Sequence, residues 1–145
     1  MPEERNSRGP DTAVYRGSCL CGGVGYEISP PFLFFHYCHC SRCRKSSGSA
    51  HSANIFLKLE QFQWTRGADL VRRYELPEAE YLCTGFCATC GSSLPWLSRN
   101  GRYVLVPAGG LDDAPVERPE RNIYWKYRAP WYEDLTTLPT IDEGR

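Results

Sequence analysis

Seven of the eight cysteines fall into three groups spaced like metal ligands: Cys19-Leu20-Cys21, Cys38-His39-Cys40-Ser41-Arg42-Cys43, and Cys87-Ala88-Thr89-Cys90, with Cys83 outside them. In extended backbone, side chains two apart leave the same face, so a C-x-C pair presents two thiolates to one ion, and a C-x-x-C turn does likewise. Zinc takes four such ligands at about 2.3 Å in a tetrahedron. The outer groups hold two cysteines each and need each other, whereas the central group already holds three. Counting therefore places Cys19, Cys21, Cys87 and Cys90 around one zinc and Cys38, Cys40 and Cys43 around a second. The first ion would staple segments about 66 residues apart, and its binding energy would become folding energy.

Three protein ligands is the count of a catalytic zinc that keeps its fourth position for water or substrate. With three thiolates the ion is electron-rich and a modest Lewis acid, suited to holding a sulfur as thiolate, so the expected substrate is a thiol or a thiol adduct. Arg42, Arg44 and Lys45, on or beside a helix that starts in the central group, can offset thiolate charge or grip a carboxylate; a solvated face fits them equally. Cys83 keeps an alternative open. As a fourth ligand it would close the central site and make the chain a non-catalytic two-zinc structural or binding module; otherwise it is a small buried hydrophobe. His36, His39 and His51 are further candidates for the fourth position, although His39 should face away from its two cysteine neighbours. Disulfides and a thioredoxin-like pair at Cys87 and Cys90 are weaker readings, for want of a secretory signal and of a βαβ context.

The elements that must position these thiols are short. Gly and Pro number 24 in 145 residues and cut the chain into brief apolar pieces, a β-rich rhythm. Strands are expected over 24–28, 33–37, 52–57, 62–65, 81–86, 92–97 and 103–107, each rich in aromatic or branched residues. Residues 69–76 fit a strand or a helix face, and strand is preferred. One short helix is expected over 42–47, capped by Ser41 and ended by Gly48. The segment after Gly109-Gly110, rich in Pro and charge and then aromatic, is expected to wrap the sheet. The tryptophans and the aromatic run at 32–37 read as packing.

One domain over 15–132 is expected, between an N-terminal tail at 1–14 and a polar C-terminal tail at 133–145. Lys plus Arg and Asp plus Glu both number 17, so no net charge favours nucleic acid. No apolar run approaches the roughly 18 to 20 residues of a membrane span. A cytoplasmic protein with reduced cysteines is expected; its oligomeric state is not legible.

Gly17-Ser18-Cys19-Leu20-Cys21-Gly22-Gly23-Val24, the central run through Arg44-Lys45 with Gly48, Phe86-Cys87-Ala88-Thr89-Cys90-Gly91, Gly109-Gly110-Leu111-Asp112-Asp113 and Ala129-Pro130-Trp131 together resemble the glutathione-dependent formaldehyde-activating enzyme and centromere protein V family. The resemblance spans roughly residues 15 to 132. It implies a compact, mostly β, tent-like zinc fold of short antiparallel strands, related to methionine sulfoxide reductase B, and a carbon-sulfur lyase activity. It implies structural zinc ligands at Cys19, Cys21, Cys87 and Cys90 and catalytic ones at Cys38, Cys40 and Cys43. The family's founding reaction joins glutathione and formaldehyde reversibly into S-hydroxymethylglutathione, and Arg44, Lys45 and Ser47 are the candidates for orienting such a substrate. Departures from the family pattern fall on Cys83, Gly85 and Asn122, which bear on substrate rather than metal.

Overall fold

The computed structural model describes residues 13–144; the expected tail at 1–14 lies almost wholly outside the described residues. The fold is mainly β. Its strands are β1 (Tyr15–Ser18), β2 (Gly25–Ile28), β3 (Phe34–Cys38), β4 (Ser52–Leu57), β5 (Phe62–Arg66), β6 (Val71–Glu75), β7 (Cys83–Cys87), β8 (Ser93–Leu94), β9 (Trp96–Leu97), β10 (Val104–Pro107) and β11 (Arg121–Ile123). The helix α1 (Ser41–Ser47) follows β3, and short 3-10 turns fill several connections. They form three small sheets ordered β1-β2-β5, β11-β3-β4-β10-β9 and β6-β7-β8.

The five-stranded sheet divides core from site by simple alternation. On β4, Ile55 and Leu57 are fully buried, while Ser52, Asn54 and Phe56 open onto a cleft on the opposite face. On β3, Phe35 joins the core and His36 and Cys38 face the cleft; on β10, Val104 and Val106 go inward and Leu105 outward. Register lines these outward residues into rows, since His36 pairs with Asn54, Cys38 with Ser52, Leu105 with Phe56 and Trp96 with Leu105. Tyr26 and Ile28 of β2 and Leu94 of β8 complete the core from the two smaller sheets. Each buried aliphatic side chain there contributes on the order of 1.5 to 3 kcal/mol.

Three expectations need correction. The helix cap is Cys40, not Ser41: Cys40 is extended, and its sulfur accepts the Cys43 N–H at 3.4 Å. Residues 92–97 form two strands rather than one, because Pro95 cannot donate to a ladder and the chain changes sheets there. The segment after Gly110 contributes a strand as well as a wrap: β11 adds parallel to the edge of β3, with Glu120 accepting the Phe35 N–H at 3.1 Å and donating its own N–H to the Phe35 carbonyl at 2.7 Å. Residues 69–76 resolve into a 3-10 turn followed by β6.

Gly67 marks the tightest crossing. It has φ 68°, and a Cβ there would collide with the Gly23 carbonyl oxygen beside the first cysteine pair. Gly67→Ala is therefore expected to lower stability by at least about 2 kcal/mol, read as a shifted urea midpoint at fixed metal content.

Candidate metal centres

Two clusters of sulfurs form, and each is built by backbone chemistry local to it. After β1 the chain turns tightly, the Gly22 N–H donating to the Cys19 carbonyl at 3.0 Å with Gly22 at φ 79°, and the Val24 N–H donates to the Cys19 sulfur at 3.2 Å. After β7 the same device recurs: Gly91, at φ 76°, donates to the Cys87 carbonyl at 2.8 Å, and the Thr89 N–H points at the Cys87 sulfur at 3.4 Å. Amide donors aimed at sulfur favour its ionised form. Ser92 ties the two turns together, since its hydroxyl oxygen accepts the Leu20 N–H at 2.8 Å and lies 3.3 Å from the Cys90 sulfur.

The sulfurs of Cys19, Cys21, Cys87 and Cys90 all lie within 4.8 Å of one another, with Cys19 to Cys21 at 3.5 Å and Cys21 to Cys87 at 3.9 Å. A tetrahedral zinc with bonds of about 2.3 Å sets its sulfurs about 3.8 Å apart, so this donor set fits the ion in type and spacing. The second cluster gathers Cys38, Cys40 and Cys43 within the same limit, with Cys38 to Cys40 at 3.5 Å. Cys38 comes from the end of β3, Cys40 from the helix cap and Cys43 from the first turn of α1. All eight cysteines are free thiols.

The electrostatics of crowded sulfurs suit a cation. The Ser92 hydroxyl, followed by backbone amides, holds the Cys90 thiol down to about 5. Cys21, favoured by the Gly23 amide, is nevertheless pushed up to about 11, chiefly by its neighbour Cys19. In the second cluster the hydrogen bond between Cys38 and Cys43 lowers Cys38 and, together with burial, raises Cys43 far above the usual thiol range. Each charge opposes the next, and a dication is what allows every sulfur to ionise together.

The two clusters differ in access. Cys38, Cys40 and Cys43 all border a cleft of about 830 Å³. Cys43 also borders a second cavity of about 640 Å³, which Cys19 of the other cluster lines as well. Ser47 and Ser46 line this second cavity and Arg42 lines the cleft, whereas Arg44 and Lys45 line neither. His39 is fully buried, with Nε2 2.8 Å from the Asn122 side-chain oxygen and its ring edge-on to Trp125 and Tyr132. It belongs to neither sulfur cluster.

Cys83 stands apart from the central group. Its sulfur accepts from Arg73 Nη2 at 2.9 Å and is not among the three that gather within 4.8 Å. Cys83→Ser is expected to leave the metal content per chain unchanged, measured by plasma emission on dialysed protein; loss of one ion would make Cys83 a ligand.

Sequence reasoning missed most of the cleft wall. Ser52 and Asn54 carry a readable signal, because small polar residues alternate with Ala53, Ile55 and Leu57 in one strand. Ser52 is only 6% exposed, and its hydroxyl has no oxygen or nitrogen partner among the described residues.

Small β-sheets carrying two buried-to-exposed cysteine clusters, one of four sulfurs and one of three, define a class of proteins equipped to hold metal ions. Within that class the chain belongs to the family described as glutathione-dependent formaldehyde-activating enzyme, whose model matches residues 14–127. A crystal structure of a Rhodobacter sphaeroides protein is similar in fold, with a TM-score of 0.57 and 24% identity, covering 72% of this chain and 97% of that one. Among curated proteins none matches the chain. Among the described residues, no helix is long and apolar enough to cross a membrane.

Proposed function

We propose that the chain is a zinc-dependent carbon-sulfur lyase acting on a thiol adduct, with formation and cleavage of S-hydroxymethylglutathione as its reference reaction. The observation that carries this reading is a three-sulfur cluster opening onto a cleft, beside a four-sulfur cluster placed to staple two sheets. Family membership supports the glutathione and formaldehyde theme. In this reading Cys19, Cys21, Cys87 and Cys90 hold a structural ion, and Cys38, Cys40 and Cys43 hold a catalytic one. Zinc at the second site supplies a Lewis acid with an open position for a sulfur or oxygen donor.

The chain's own residues do the rest. Cys38 and Cys43, each 8% exposed, keep one side of the reacting centre dry, so fixed dipoles act there with little screening. Ser52 offers a buried hydroxyl beside Cys43, and Asn54 an amide one pleat further along β4. Ser47 orients a polar part of the substrate from the second cavity, while Arg44 and Lys45 lend positive potential from α1. In the forward direction the thiol sulfur bonds to the carbonyl carbon, the π pair passes to oxygen, and that oxygen takes up the proton the thiol gave. The zinc domain at 15–132, its kinship with methionine sulfoxide reductase B, a polar tail at 133–145 and a cytoplasmic setting belong to the same reading.

Exchange spectroscopy by NMR on glutathione, formaldehyde and their adduct tests it. The zinc-loaded protein is expected to speed interconversion well beyond buffer, and an unchanged exchange rate at saturating glutathione would remove the proposed substrate.

A further inference from the structure

The two cavities that meet at the central cluster have opposite chemistry. They share Cys43, Ser52, Asn54, Leu82 and Trp96, so a ligand centred on the cluster can extend into both. The smaller is hydroxyl-rich, with Ser18, Ser46, Ser47, Thr84, Ser92 and Ser93 on its wall. The larger is aromatic, walled by Phe56, Tyr81, Trp96, Tyr103, Tyr124 and Tyr127. Formaldehyde contributes one carbon to an adduct and leaves such a wall without a contact, whereas a cleft of about 830 Å³ is of the size that encloses a drug-sized ligand.

Phe56 of this wall packs against Phe34, His36 and Tyr103, but three of its six aromatic residues are not explained by packing. Tyr81, Tyr124 and Tyr127 are 54%, 59% and 51% exposed, so no core claims them. Tyr124 adopts φ 55° and ψ 38°, the left-handed region that non-glycine residues avoid, at the start of the turn Trp125–Tyr127. Strain of this kind persists where the surroundings hold a residue for use. The rings of Tyr124 and Tyr127 stand 6.4 Å apart, and Lys126 lies 5.0 Å from the Tyr127 ring.

Resting on the lyase reading, we propose that the substrate is a two-armed thiol adduct: a polar, peptide-like thiol seated in the hydroxyl-rich cavity, joined through sulfur to an arm bearing an aromatic ring that lies in the tyrosine-walled cleft. Its carbonyl component is an aldehyde that carries an aromatic ring rather than formaldehyde. The reaction is the same balanced addition, sulfur bonding to the carbonyl carbon and a proton moving from thiol to the new hydroxyl, or its reverse.

Stable thioethers separate the inference from the reading beneath it. Binding of S-benzylglutathione and S-methylglutathione to the zinc-loaded full chain is measured by calorimetry, alongside NMR exchange of the glutathione adducts of phenylacetaldehyde and formaldehyde. The benzyl thioether is expected to bind at least about tenfold more tightly, and the phenylacetaldehyde adduct to exchange faster. Tyr124→Gly, which keeps the left-handed backbone, and Tyr81→Leu should each narrow the benzyl-to-methyl affinity ratio, a change that general loosening would not produce. Equal affinities, or faster formaldehyde exchange, overturn the aromatic arm while leaving the lyase reading intact. No binding of either thioether together with no accelerated exchange of either adduct overturns both.

Discussion

Replacing Cys87 by Ser is expected to unfold the domain rather than trim its activity. Cys87 is 1% exposed at the end of β7, and its sulfur lies 3.9 Å from that of Cys21, which follows β1 in another sheet. With the two joined sheets only three strands each, much of their mutual orientation is expected to rest on the four-sulfur cluster. Structural zinc sites carry apparent binding free energies of about 10 to 16 kcal/mol, comparable with the whole net stability of a domain, about 5 to 15 kcal/mol. Serine leaves a poor ligand and a buried hydroxyl at the centre of the staple. Circular dichroism on heating should show no cooperative transition for the variant, and prolonged chelation of the native protein should reproduce that result. A C87S protein that melts cooperatively with full metal content would contradict the staple.

The second large effect is the opposite in kind. Cys40→Ser is expected to remove one ion and to reduce the proposed lyase activity by at least on the order of 100-fold while the fold survives. Cys40 does two jobs, capping α1 through its sulfur and standing in the three-sulfur cluster. Serine is among the preferred N-cap residues, so the Cys43 N–H keeps an acceptor and the helix keeps its start. The ligand alone is lost. Metal analysis, thermal melting and NMR exchange on one preparation separate these effects: one ion fewer, a melting temperature within a few degrees, and no exchange. Collapse of the melt together with metal loss would assign the central cluster a structural role.

The contrast between these variants reflects what the sequence makes legible. The spacing of Cys19 and Cys21, of Cys38, Cys40 and Cys43, and of Cys87 and Cys90 is a local property, set by how far a side chain reaches in one turn or one pleat, and it foretells the four and three that gather in space. Strands with strong alternation, such as β4, are legible to the residue because burial of Ile55 and Leu57 dictates their phase. What escapes is decided by distant partners. β1 has only Tyr15 as a good strand former, and it extends because β2 pairs with it and Arg16 is held by Asp113, whose carboxylate accepts the Arg16 N–H at 2.8 Å. β11 sits in a run of Pro and charge and becomes a strand only because the edge of β3 is free to receive it. The cleft is less legible still. Tyr81, Trp96, Tyr103 and Tyr124 come from four separate stretches, and nothing in their spacing distinguishes a wall from a core.

The roles of Arg42, Arg44 and Lys45 show the same limit. Three basic residues in four positions of one helix point around its circumference, and a sequence cannot say which of them faces a cleft. Arg42 lines it, beside Ser41 and Cys40, while Arg44 and Lys45 turn elsewhere. Position along a helix is local information; what the helix packs against is not.

Every role assigned to the seven clustered cysteines requires metal at both sites, and zinc-edge X-ray absorption on protein purified without chelator, under a phosphine rather than a thiol reductant, measures it most directly. Two zinc ions per chain are expected, seven sulfur ligands shared between them at about 2.3 Å and a lighter donor in the remaining position, matching the seven clustered cysteines. Well-folded protein free of bound metal, or an eighth sulfur at the second ion, would contradict it.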